Sequence, residues 1–185
     1  MPRPVLFLVG YRGTGKTTVA RRVAARLGWP WMDADALLEE RAGKTIRAIF
    51  AEEGEAGFRR REAAILEELC AEGGRVVATG GGVVLSPGNR ALLRSAGLVV
   101  WLRADAETIW RRLQADATTA ERRPALTIGG RAEVEELLRL REPLYRECAG
   151  WTVETARHTP EEVAESVVAA VAPDLKDQPG ARAPG

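Results

Sequence analysis

The sequence predicts an α/β domain built on a largely parallel sheet. Three observations predict it. Short apolar, strand-like runs alternate with helix-periodic stretches along the chain. The first run, Val5–Val9, leads straight into Gly10-Tyr11-Arg12-Gly13-Thr14-Gly15-Lys16-Thr17 and then a helical pattern. The length, 185 residues, suits one domain with a proper core and leaves little room for a second folded module.

The elements follow in order. Strand-like runs fall at Val5–Val9, Trp31–Asp33, Arg75–Thr79, Leu98–Leu102 and Trp151–Thr155. Val19, Val23 and Leu27 recur every four residues on one helix face, and Gly28 supplies the stop. Asp33 is placed to cap the next helix, whose apolar side holds Leu37 and Leu38. Ile46, Ile49 and Phe50 predict a short helix ending at Gly54, and Ile65, Leu66 and Leu69 mark another from Phe58 to Cys70. Ser86-Pro87 and Thr159-Pro160-Glu161-Glu162 read as helix starts, the second as a capping box. From Pro173 onward the chain is rich in Pro, Gly and Ala with no apolar period, which predicts a disordered tail over 173–185. No internal repeat is present.

Composition excludes several classes. With 27 basic and 26 acidic residues the net charge is +1, so no strong overall field favours nucleic acid or an anionic membrane. No apolar run approaches the length of a membrane span, and Met1-Pro2-Arg3-Pro4 with five apolar residues lacks the pattern of a signal peptide. A cytoplasmic protein is expected. Cys70 and Cys148 are far apart and fit neither a disulfide framework nor a zinc site, leaving two buried or half-buried thiols.

The glycine loop has the GxxxxGK[ST] spacing of a nucleoside-triphosphate cradle. Its amides wrap phosphates, Lys16 reaches the β- and γ-phosphates, and the Thr17 hydroxyl joins Mg²⁺. The following helix adds orphan N–H donors and the positive end of its dipole. Four other polar clusters bear on the acceptor. Asp33 and Asp35 close the second strand, where open α/β sheets bind ligands; one can act through Mg²⁺ or its waters, the other on an attacking hydroxyl. Gly80-Gly81-Gly82 follows the third strand, where missing side chains admit a small ligand and permit φ values that other residues avoid. Phe58-Arg59-Arg60-Arg61-Glu62 offers guanidiniums for a carboxylate, although most arginines in such runs are solvated or paired with glutamate. The stretch 117–130, with Glu121-Arg122-Arg123-Pro124, is long for a connection and reads as a basic lid. His158, the one histidine, precedes a capped helix and reads as a surface residue. Trp29 and Trp31 are expected to pack near the second strand.

Taken in order and spacing, the Gly10 loop, Asp33-Ala34-Asp35, Gly54-Glu55-Ala56-Gly57-Phe58-Arg59, Gly80-Gly81-Gly82, Arg123-Pro124 and Arg141-Glu142-Pro143-Leu144-Tyr145 resemble the shikimate kinase family over about residues 4 to 171. The resemblance implies a five-stranded parallel sheet in the order 2-3-1-4-5 flanked by helices, a P-loop kinase with a lid, in a single domain over 1–172. It implies ATP-dependent phosphorylation of the 3-hydroxyl of shikimate, with Mg²⁺ as cofactor and shikimate and ATP as partners, in a monomer. By the same resemblance Gly13, Thr14, Gly15, Lys16, Thr17 and Thr18 bind ATP phosphates. Thr17 ligates Mg²⁺ and Asp33 assists through metal-bound water. Asp35 binds the acceptor hydroxyls and is the base or orienting group. Arg59 and Arg141 clamp the substrate carboxylate, Gly81 contacts the ring hydroxyls, Arg123 is the lid arginine, and Arg157 falls near the adenine. Two alternatives stand beside this reading: a related small-molecule kinase such as gluconate kinase, and a catalytically silent nucleotide-binding module.

Overall fold

The computed structural model describes residues 4–115 and 130–176. Its centre is a five-stranded sheet in the order β2-β3-β1-β4-β5, every pair parallel. The strands are β1 (Val5–Val9), β2 (Trp31–Asp33), β3 (Val76–Ala78), β4 (Gly97–Arg103) and β5 (Trp151–Glu154). The helices are α1 (Lys16–Leu27), α2 (Ala34–Ala42), α3 (Ile46–Glu72), α4 (Pro87–Ala96), α5 (Ala106–Ala115), α6 (Gly130–Cys148) and α7 (Pro160–Lys176), with a 3₁₀ turn at Val83–Leu85. Strand bounds match the expected ones closely. β3 is drawn shorter than 75–79, yet Arg75 and Thr79 still bond β1 through Leu6 N–H to Arg75 O (2.8 Å) and Thr79 N–H to Leu8 O (3.2 Å).

The continuous apolar run of β1 has a simple cause. As the middle strand it is covered on both faces, so both sets of alternating side chains are buried. Val5, Phe7 and Val9 join a core with α2, α3 and α4, while Leu6 and Leu8 join a second core with α1 and α7. Tyr11, just past the strand, belongs to a third cluster with Ile109, Leu113, Val134 and Leu138 of α5 and α6.

The capping expectations are met. Asp33 accepts from the amides of Asp35 (3.0 Å) and Ala36 (3.2 Å), and Ser86 accepts from Asn89 N–H (3.4 Å). Thr159 and Glu162 form the reciprocal box, with Glu162 Oε2 2.7 Å from Thr159 N and Thr159 Oγ1 3.3 Å from Glu162 N. Gly28 ends α1 in the left-handed region. Gly54 breaks α3 with φ 67° and ψ −174°, and the helix resumes at once rather than at Phe58. Phe50 and Phe58 stack across that break, ring centres 4.7 Å apart.

One boundary differs. Helix α7 runs through Pro173 to Lys176, so the tail does not begin at 173. Val163, Val167, Val171 and Leu175 continue one four-residue stripe against the second core, and that packing carries the helix past a proline in its last turn. Residues 177–185 lie outside the described ones. So do residues 116–129, which hold Arg123 and nearly all of the expected lid; Gly130 begins α6.

Candidate active site

The sheet register brings the site together. Leu8, Ala78 and Asp33 are level on β1, β3 and β2, so the chain leaves all three strands at one edge, as the P-loop, Gly80-Gly81-Gly82 and the start of α2. Beyond Val9 the loop turns through Gly10, Gly13 and Gly15, all with positive φ (144°, 79° and 90°). Gly15 is the N-cap of α1 and has no side chain with which to cap it, so the first-turn amides are left for an anion. Thr14 braces the loop by donating its hydroxyl to Tyr11 O at 2.7 Å. Lys16 is buried, and its ammonium donates to Gly10 O (2.8 Å) and Tyr11 O (2.9 Å), which holds a fixed positive charge inside the loop.

Thr17 Oγ1 donates to Asp33 Oδ2 at 2.6 Å, while Asp33 Oδ1 caps α2. The same carboxylate thus ties α1 to α2. A hydroxyl and a carboxylate side by side at a phosphate cradle suit Mg²⁺, a hard ion that keeps waters and phosphate oxygens in its shell. Among the described residues no group of three or more His, Cys, Asp or Glu gathers that could hold a metal ion.

The triple glycine departs from one expectation. None of Gly80, Gly81 and Gly82 has a left-handed φ, so the run is there for space rather than for unusual backbone angles. Each position faces a different neighbour. A methyl group on Gly80 would lie 2.9 Å from Asp35 Oδ1 and 3.0 Å from Glu62 Oε1. One on Gly81 would lie 3.2 Å from Arg12 N, and one on Gly82 would lie 2.6 Å from Arg59 Nη1. Asp35, Glu62, Thr79 and Gly80 line a small recess floored by Leu38, Ile65 and Leu66.

Arg59 reaches this run from α3 and pairs with buried Glu62 at 2.7 Å and with exposed Glu55 at 3.3 Å. Arg61 turns away to Glu53, as expected for most of that cluster. Arg141 comes from α6, with its guanidinium 5.4 Å from the centre of the Tyr11 ring. One turn later on α6, Tyr145 donates its hydroxyl to Gly81 O at 2.5 Å. Burial pushes the Tyr145 phenol well above its ordinary range, so it remains a donor at any working pH.

Arg157 and His158 are exposed on the turn between β5 and α7. That turn is held to the P-loop by Arg112, which donates to Gly13 O (3.2 Å), Thr155 Oγ1 (3.1 Å) and Thr155 O (2.7 Å). Trp31 stacks under Arg21 at 4.7 Å, and both Trp29 and Trp31 are partly buried against the second core. Arg112 and Glu62 were not singled out in the sequence. The i,i+3 spacing of Arg59 and Glu62 was a local signal for the second; Arg112 has no such signal, because its partners are 99 and 43 residues away.

The shikimate kinase family profile matches residues 12–172. The chain belongs to the shikimate kinase family. A shikimate kinase of Thioalkalivibrio sulfidiphilus is 49% identical over 163 residues, 88% of this chain and 84% of that protein. One of Cupriavidus pinatubonensis is 47% identical, covering 90% and 85%. Among solved structures, shikimate kinase from Acinetobacter baumannii in complex with shikimate superposes with a TM-score of 0.86 at 38% identity, covering 93% of this chain and 94% of that one. A gluconokinase from Sinorhizobium meliloti shares the fold, with a TM-score of 0.62, at 17% identity.

Proposed function

We propose that this chain transfers the γ-phosphoryl group of ATP to the 3-hydroxyl of shikimate, giving shikimate 3-phosphate and ADP on the route to chorismate and the aromatic amino acids. The observation that carries this reading is the convergence at the triple glycine: Asp35 and Glu62 at Gly80, Tyr145 at Gly81 and Arg59 at Gly82, beside the P-loop. A hydroxylated carboxylic acid suits that set, since arginine binds a carboxylate by paired hydrogen bonds and aspartate accepts from hydroxyls.

Phosphoryl transfer needs positioning and charge neutralisation more than covalent help. Gly13, Thr14, Gly15, Lys16, Thr17 and Thr18 cradle the phosphates, and Lys16 stands at the β- and γ-phosphates. Thr17 and, through water, Asp33 would hold Mg²⁺, which neutralises phosphate charge when bound. Asp35 orients the acceptor hydroxyl and takes its proton. Arg59 and Arg141 fix the carboxylate, so only one ring oxygen faces the γ-phosphate, and Gly81 supplies a backbone contact. Arg123, outside the described residues, adds charge from the lid, and Arg157 lies toward the adenine. Arg112 supports this last placement, because it holds the Arg157 turn against Gly13. We assign the protein to the cytoplasm as a monomer; no described helix is long and apolar enough to cross a membrane.

A coupled ADP-release assay across shikimate, gluconate and nucleoside monophosphates tests the reading. Turnover with shikimate alone is expected, and turnover with gluconate but not shikimate overturns it.

A further inference from the structure

A glycine run has no side chains to anchor it, so its position depends on what holds its carbonyls. All three are accounted for. Gly80 O accepts from Val83 N–H at 3.2 Å and Gly82 O from Leu85 N–H at 3.0 Å, both within the 3₁₀ turn that follows. Gly81 O is held differently, by the Tyr145 hydroxyl from a helix 64 residues away. Arg141 lies one turn earlier on the same face of α6. A phenol carries a single proton, and here that proton goes to Gly81 O. The ring is buried and stacks on Trp101 of β4 at 5.7 Å, so the oxygen is pinned with respect to the sheet.

We propose that the Tyr145 hydroxyl is a positioning group of the acceptor site, holding the Gly81 peptide in a fixed place relative to α6, the helix that carries Arg141. Because a peptide unit is planar, holding Gly81 O also fixes the Gly82 amide, and Gly82 is where Arg59 packs. The backbone contact and the place where Arg59 packs are thereby referred to one oxygen atom. A methyl group on Gly81 would lie 3.2 Å from Arg12 N and 3.5 Å from Gly10 O, so this peptide sits close to the phosphate cradle as well. Tyr145 touches neither substrate in this scheme. It acts through Gly81.

This inference rests on shikimate being the acceptor. The test is steady-state kinetics of Tyr145→Phe beside the wild type and Trp101→Phe. Phe keeps the ring on Trp101 and removes only the oxygen, so the fold is retained, as far-UV circular dichroism and the melting midpoint check. Trp101→Phe alters the packing under the same ring and leaves the hydroxyl. The expected result for Tyr145→Phe is a KM for shikimate raised about 5- to 10-fold, the effect of one lost hydrogen bond, with KM for ATP changed less than about 2-fold. Trp101→Phe should change neither by that much. An unchanged shikimate KM in Tyr145→Phe overturns the proposal, as does an equal rise in both constants, or the same rise in Trp101→Phe. Wild-type protein that fails to use shikimate instead overturns the functional reading, and the two failures are thus distinct.

Discussion

Asp33 and Asp35 are two carboxylates two residues apart with different work. Asp33 spends both oxygens, one on the Thr17 hydroxyl and one on the α2 amides. Asp35 stands instead beside Gly80 and Glu62 in the recess. That division supports the proposed role of Asp35 toward the acceptor hydroxyl. Asp35→Asn should lower kcat by about 100-fold or more, the ordinary contribution of a positioned general base, while ATP binding measured by calorimetry changes little. A kcat within a few-fold of wild type would remove the assigned role. Other residues of the site are defined by pairing. Glu62 is buried and bonded to Arg59, a partnership that sets where the guanidinium lies before any substrate arrives. The thiols take no part: burial pushes Cys70 up to about 11 and raises Cys148 too, so both stay protonated near neutral pH.

At the scale of elements, α3 shows how a single residue aims a helix. Gly54 holds φ 67° and ψ −174°, a region open to glycine and closed to residues with a Cβ. Nothing lies within 4 Å of where its Cβ would be, so the requirement is conformational and not steric crowding. The break lets Phe50 stack on Phe58 and directs Arg59 toward Gly82. Gly54→Ala should therefore destabilise the protein by about 1–3 kcal/mol, read as a lower urea midpoint at constant m-value. A stability within about 0.5 kcal/mol of wild type would show that the break tolerates a side chain. Gly80-Gly81-Gly82 is the opposite case, since its backbone angles are ordinary and its lack of side chains makes room for Asp35, the P-loop and Arg59. The sequence predicted a helix end at Gly54, and for Gly80-Gly81-Gly82 it offered both space and unusual φ values. It could not distinguish the two reasons, because one is local and the other depends on neighbours from α2, α3 and the P-loop.

For the molecule as a whole, the P-loop is the junction between layers. It follows the middle strand, packs Tyr11 against α5 and α6, meets Gly81, and is tied by Arg112 to the β5–α7 turn. A nucleotide bound there stabilises the folded state by mass action. A non-hydrolysable ATP analogue at 100 times its Kd should add about 2.7 kcal/mol, or roughly 5–11 °C in melting midpoint for a chain of this size. Lys16→Ala should lose most of that shift. Absence of any shift in the wild type would contradict the cradle.

The alternation of apolar runs and helical periods was enough to place all five strands, because each local pattern matched the environment it would meet: β1 reads as unbroken apolar since both its faces are covered. Caps at Asp33, Ser86 and Thr159 were equally readable, being short-range hydrogen bonds between residues two or three apart. The P-loop was legible for the same reason. Strand order followed from the family resemblance and not from periodicity, which carries no information about which strands are neighbours. The tail was started too early, at Pro173, because composition rich in Pro, Gly and Ala masks the Val163 to Leu175 stripe, whose stability is gained only against α1 and β5. What the sequence by itself determined were the elements, their caps and the chemistry of the phosphate loop, all set by neighbours along the chain. Only the tertiary structure decided that Tyr145 holds Gly81, that Arg112 holds Gly13, and that Glu62 and Asp35 meet at Gly80, because those contacts join residues tens of positions apart and exist only once the sheet has aligned them.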